Sequence, residues 1–361
     1  MEHFFELLRY SLGITDSFEA KLSPEEWKKI FESAHQQSIV GVLFCGVSKL
    51  KGEFAPPLNI AMQWTAEAEK IIGMNKAFNL RAKELTEFFA QQGHHTVILK
   101  GQANARLYPN PFSRQPGDID IFVDGGKKKV IEMLSNNNLI KSDGFVAYHH
   151  VELADETNNI AVEVHFRPSS GLHNYFGKKH LQTFLNNELK EKQLTQEGFY
   201  SPSVTFALAM QLAHIHHHFI EGGVGLRQIT DYYYLLKAST NDQRNIISSL
   251  LKSIRLEQFA AALMWVLQYV FGLNEDYFLC KPNQKMGVFL FQVITNGGNF
   301  GWYNGNQSDN AIKRFLKRRI RLMKMFTLCP RDVCWEALSY TKYIVTTIPW
   351  RIRTRHLTLN G

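Results

Sequence analysis

The spacing of apolar residues changes from helical to alternating near residue 94 and back to helical near residue 200. This restricts the chain to a helical protein that carries one small α/β unit. "SPEEWKKIFESAHQQ" (23–37) opens with a capping serine and acids in its first turn, which predicts a helix. Residues 59–92 run without proline, with one glycine at 73, and predict one long helix or a bent pair. "HTVIL" (95–99) and "DIDIFV" (118–123) then read as strands. Between them lie a short helix at 102–108 and a turn-rich loop, "PNPFSRQPG", at 109–117. A helix is predicted over 127–138. "FVAYHHVELA" and "NIAVEVHF" alternate around "DETNN" and predict a hairpin. Helical spacing resumes in 201–220, 225–239, 243–272 and 311–326. The expected class is α+β in three parts: helical 1–93, an α/β core over 94–200, and helical 201–361.

The 361 residues suffice for two or three domains, and 45% hydrophobic with 20% charged residues excludes a disordered chain. A net charge of +8 favours polyanionic partners such as nucleotides, nucleic acid or an anionic membrane, although many ordinary proteins are this basic. Cys45, Cys280, Cys329 and Cys334 show no Cys-x-x-Cys spacing, so neither a cysteine zinc site nor a disulfide framework is expected. The start does not read as a signal peptide and no apolar run is long enough to span a bilayer. The expected location is the cytoplasm, with no transmembrane segment.

In a strand, residues i and i+2 share a face. Asp118 and Asp120 therefore project together, away from Ile119, Ile121 and Val123. Burying two unpaired carboxylates would cost several kcal/mol, and a divalent cation is the economical compensation. Mg²⁺ takes oxygen ligands and is commonly held by one or two carboxylates together with substrate phosphates. "AVEVHF" (161–166) places Glu163 within an apolar strand, with His165 on the same face; paired beside 118–123, it would add a third carboxylate. Acids on a solvent-facing strand are the competing explanation.

"LKG" (99–101), "LYP" (107–109), Arg114, "DIDIFV" and "VEVHF" (162–166), followed by His214-x-x-x-His218 and "LRQITD" (226–231), resemble the DNA polymerase β-type nucleotidyltransferase superfamily. Within it they are most similar to a bacterial branch of uncharacterised nucleotidyltransferases, over about 98–231. The resemblance implies a polymerase β-type core of small mixed sheet and helices, flanked by helical segments. It also implies transfer of a nucleoside monophosphate (NMP) from a nucleoside triphosphate (NTP), with ATP expected, to an acceptor, using Mg²⁺ or Mn²⁺. Asp118, Asp120 and Glu163 would hold the metal, and Glu163 would help deprotonate the acceptor. Gly101 would bring backbone N–H groups to the triphosphate.

One departure stands out: the superfamily usually has Gly-Ser at this turn, and here Gln102 follows Gly101. Lys100 and Arg114 could supply the phosphate contact instead. Lys100 otherwise reads as a surface lysine, and Arg114 as a loop cation paired with an acid. His214 and His218 share a helix face and could meet the nucleotide, bind Zn²⁺ or pack between domains. Arg227 could reach phosphate or pair with Asp231. The segment "IKRFLKRRIRLMKMF" (312–326) carries seven cations and no acid, and could lie on nucleic acid, on an anionic membrane or simply in solvent. The acceptor stays open among small molecules, sugars, peptides, proteins and RNA ends. A catalytically inactive nucleotide- or nucleic-acid-binding protein on the same fold is the alternative.

Overall fold

A computed structural model describes residues 2–140, 146–154, 159–298, positions 316, 319, 320, 322, 323, 325 and 326, and residues 329–354. The predicted basic helix at 312–326 lies mostly outside the described residues, as does the turn at 155–158. The fold is α+β, a small mixed sheet joined to a large helical body.

Helices α1 (Glu2–Ser11), α2 (Pro24–Gln36) and α3 (Val40–Val47) lead into α4 (Leu58–Gln91). α2 starts where the capping serine predicts: Ser23 Oγ accepts from Glu26 N, and the Glu26 carboxylate accepts from Ser23 N at 2.8 Å. The 59–92 run is one unbroken helix of 34 residues, about 50 Å long at 1.5 Å per residue. Its first half buries Ile60, Trp64 and Ile71 against the helical body. Its second half buries Phe78, Ala82, Leu85 and Phe89 under the sheet. α4 thus belongs to two cores.

The sheet holds β1 (Thr96–Ile98), β2 (Ile119–Val123), β3 (His150–Glu152) and β4 (Val162–His165) in the order β1-β2-β4-β3. β2 and β4 are parallel, while β1–β2 and the β3–β4 hairpin are antiparallel. Short helix α5 (Gln102–Ala105) precedes β2, and α6 (Gly126–Asn136) follows it. Period-two alternation sorts the faces. Ile119, Ile121, Val123, Val151, Val162 and Val164 join Val130 and Leu134 of α6 and the second half of α4 in one core. The acidic residues are left on the opposite face.

Beyond the sheet come α7 (Tyr175–Glu188), a two-stranded ribbon of β5 (Lys192–Leu194) and β6 (Tyr200–Pro202), then α8 (Val204–Glu221), α9 (Leu226–Ala238), α10 (Asn241–Ile254), α11 (Glu257–Phe271), α12 (Gln284–Gly297) and α13 (Pro330–Thr354). The helical run predicted at 243–272 is broken. Arg255 is left-handed (φ 61°, ψ 38°) and closes α10, which lets Ile254 and Leu256 on either side both enter the core. The N-terminal helices pack on this body. Arg9 Nε donates to Val270 O at 3.0 Å, and Gln37 bridges Ile294 O and Leu226 N at 2.9 Å each. Among the described residues, no helix is long and apolar enough to cross a membrane, and all four cysteines are free.

Candidate active site

The parallel register sets Asp120 directly beside Glu163. One carboxylate oxygen each from Asp118, Asp120 and Glu163 lies within 4.8 Å of the others. The strand-to-helix turn after β1 carries Lys100 over them, its Nζ 2.9 Å from Asp120 Oδ2 and 3.5 Å from Asp118 Oδ2. Gly101 makes this turn possible at φ 62°, ψ −106°, a conformation that a side chain would strain. On the other flank, His165 Nε2 lies 3.0 Å from Asp120 Oδ1 and 3.2 Å from Glu163 Oε2.

Charge follows position. Asp120 is 2% exposed, and burial alone would raise its pKa. Lys100 and His165 outweigh burial and hold it well below the usual carboxylate range. Its Oδ2 is buried and, despite the close ammonium, lacks a partner in hydrogen-bond geometry. Asp118, 36% exposed, is pushed up by Asp120, with Lys100 opposing. Burial would lower Lys100, but Asp118, Asp120 and Glu163 keep it above its ordinary value. For His165 burial is likewise overcome, here by its hydrogen bonds to Asp120 and Glu163, and its pKa rises to about 9.

The loop leading into β2 is fastened from several directions. Arg114 grips Asp231 of α9 in a bidentate pair, Nε to Oδ1 at 2.7 Å and Nη2 to Oδ2 at 2.8 Å, with Arg114 5% and Asp231 1% exposed. Tyr108 donates its hydroxyl to the same Oδ1 at 2.7 Å. Arg227 Nη1 donates to Gln115 O at 3.1 Å. Asn75 Nδ2 in α4 reaches the carbonyls of Phe112 and Arg114, both at 2.9 Å. α3 comes so close at Gly41 that any side chain there would strike the Ser113 carbonyl.

Residues 23–272 match the family described as "Uncharacterised nucleotidyltransferase", more than half of the chain. The chain belongs to that family. No curated protein matches it. This nucleotidyltransferase is therefore an enzyme that transfers a phosphorus-containing group and takes a nucleotide substrate, and its acidic clusters could bind a metal. The match runs from α2 into α11, so the helical surroundings belong to the family unit together with the sheet.

α8 brings His214 and His218 of the nucleotidyltransferase to the same neighbourhood, with their rings edge-on at 4.3 Å. Burial pushes both down, with help from adjacent histidines and Lys100; His218 falls to about 3. Both are neutral imidazoles at pH 7. His216 instead packs on Phe259, and His217 pairs with Glu221 at 3.0 Å. A depressed folded pKa means that the unfolded chain, with histidines near 6.5, binds more protons as pH falls. What these two histidines contribute is therefore full above about pH 6.5 and declines below it, by up to about 1.4 kcal/mol per pH unit for each. Thermal midpoints measured from pH 6.5 to 5, above the main carboxylate titrations, should fall less steeply in His218→Gln than in wild type.

Two further features came only with the structure: the partner of Gln102 and the place of two histidines. Gln102, in the usual serine position, turns away from the acids and donates to Asn79 Oδ1 of α4 at 2.6 Å. His149 and His150 stand beside Glu163 and His165. The alternation of "HVE" opposite "VEVH" could have revealed His150, because cross-strand partners share a face; His149 precedes the strand, and its position is not set by that period.

Proposed function

We propose that this nucleotidyltransferase moves an NMP from an NTP, ATP being the expected donor, to an acceptor hydroxyl or similar group with Mg²⁺ or Mn²⁺. The observation that carries this reading is the single face on which Asp118, Asp120 and Glu163 converge within 4.8 Å. The donor set is all oxygen, which suits a hard cation. Lys100 holds its ammonium against Asp120 Oδ2, a buried oxygen whose charge needs a cation. Asp118, Asp120 and Glu163 would hold the metal. When bound, the ion would neutralise charge on the phosphates and polarise them toward attack.

The chain's own residues would then divide the work. Lys100, released from its carboxylate partners, reaches the triphosphate as a mobile point charge. Glu163 accepts the acceptor's proton. Arg114 is fully engaged by Asp231, so it acts by fixing the loop before Asp118. Arg227 steadies the same loop at Gln115 and Pro116, close to Asp118. Neutral His214 and His218 offer uncharged hydrogen-bonding groups to the nucleotide. The helical part beyond 200 selects the acceptor.

The test incubates the chain with α-labelled NTPs, Mg²⁺ and fractionated small molecules and proteins. Pyrophosphate release together with metal-dependent labelling of one fraction is expected. NTP binding with no pyrophosphate in any fraction would favour the non-catalytic alternative.

A further inference from the structure

We infer a second metal site on this sheet, a zinc site formed by His149, His150, His165 and Glu163. It goes beyond the proposed transfer reaction and does not depend on it. The antiparallel register places His150 opposite His165, and Glu163 shares their face two residues along β4. The three imidazoles converge, with ring centroids 4.4 Å apart for 149–150, 5.1 Å for 149–165 and 5.3 Å for 150–165.

The distances fit one particular geometry. Donors bound tetrahedrally to Zn²⁺ at 2.0–2.1 Å lie about 3.3 Å from one another. Here His149 Nε2 and His150 Nδ1 are 3.0 Å apart, His150 Nδ1 and Glu163 Oε2 3.2 Å, and His165 Nε2 and Glu163 Oε2 3.2 Å. One ligand atom from each of the four residues lies within 4.8 Å of all the others. The donor set also separates this site from the carboxylate site. Three nitrogens and one oxygen select zinc, whereas Asp118, Asp120 and Glu163 offer oxygen alone. His165 Nε2 also meets Asp120 Oδ1 at 3.0 Å, so zinc binding displaces the proton that this nitrogen shares with the two carboxylates. His149, His150 and Glu163 are only half-buried, which leaves an entry path, while His165 is fully buried beneath them. An ion there pins the β3–β4 hairpin across its register. It also binds the same Glu163 oxygen that faces His165, so the two sites meet at one residue.

The experiment uses the full chain stripped of metal, with Zn²⁺ titrated calorimetrically in excess Mg²⁺ and Co²⁺ as a spectroscopic probe. One zinc per chain is expected, with the intense visible absorption of tetrahedral cobalt. His149→Ala/His150→Ala should weaken Zn²⁺ binding by at least about 100-fold and abolish the cobalt spectrum. Asp118→Ala should leave both unchanged, which separates this result from failure of the transfer reaction. His150→Asn serves as the milder variant should the double variant misfold. The assignment is overturned if wild type binds no zinc, if cobalt keeps an octahedral spectrum, or if the histidine variants bind zinc as wild type does.

Discussion

Asp118→Asn is expected to lower nucleotidyl transfer at least about 10³-fold while leaving thermal stability unchanged or slightly higher. The rate loss follows from removing one of three carboxylates proposed to hold the metal, whose electrostatic contribution is several kcal/mol; about 4 kcal/mol corresponds to 10³. The stability side follows from the electrostatics of the folded chain. Asp118 is pushed up mainly by repulsion from Asp120, so neutralising it relieves a strain. Asp120→Asn should behave differently. Its carboxylate is buried between Lys100 and His165, and its loss leaves the Lys100 ammonium with weakened compensation. Rates and melting curves of the two variants side by side check both halves. Near-wild-type transfer by Asp118→Asn would remove the carboxylate trio from the mechanism.

The largest stability effect should come from a pair outside the acidic cluster. Arg114→Ala or Asp231→Ala is expected to cost about 3–5 kcal/mol, because each strands a buried charge. Tyr108→Phe removes only the neutral donor to Asp231 and should cost about 1 kcal/mol. Replacing both charged partners together, as Arg114→Met/Asp231→Leu, should recover most of the single-variant loss, since a well-packed apolar pair costs little. Urea unfolding midpoints of wild type, Arg114→Met, Asp231→Leu and the double variant close a double-mutant cycle. Additive losses would show that the pair is not coupled.

Those two sets of residues differ in how far they could be read from sequence. The shared face of Asp118 and Asp120 is a matter of strand period, and Glu163 within "VEVHF" needed only the parallel pairing that β2 and β4 adopt. The partnership of Tyr108, Arg114 and Asp231 was not legible. The acid lies 123 and 117 residues from its partners, and nothing local marks which cation it meets. Its residues appeared in the resemblance as scattered motif positions; folding turns them into one hydrogen-bonded group. Lys100 reads as a surface lysine or a phosphate contact, yet it lies on the two aspartates, because only the left-handed turn at Gly101 folds it back. The break at Arg255 was hidden because both flanking helices carry apolar residues at helical spacing, and periodicity does not register a single left-handed residue. The hairpin was legible from alternation, but the histidines at its start required knowing which residues face one another.

α4 is one rod with its two ends embedded in different surroundings, one among the helices of the body and the other beneath the acidic strands. Midway between these ends, Asn75 holds the loop that delivers Asp118. A shift of the helical end along the rod axis would reach, through Asn75, the loop beside the carboxylates. An acceptor gripped by the helices could therefore be felt at the chemistry without any separate moving part.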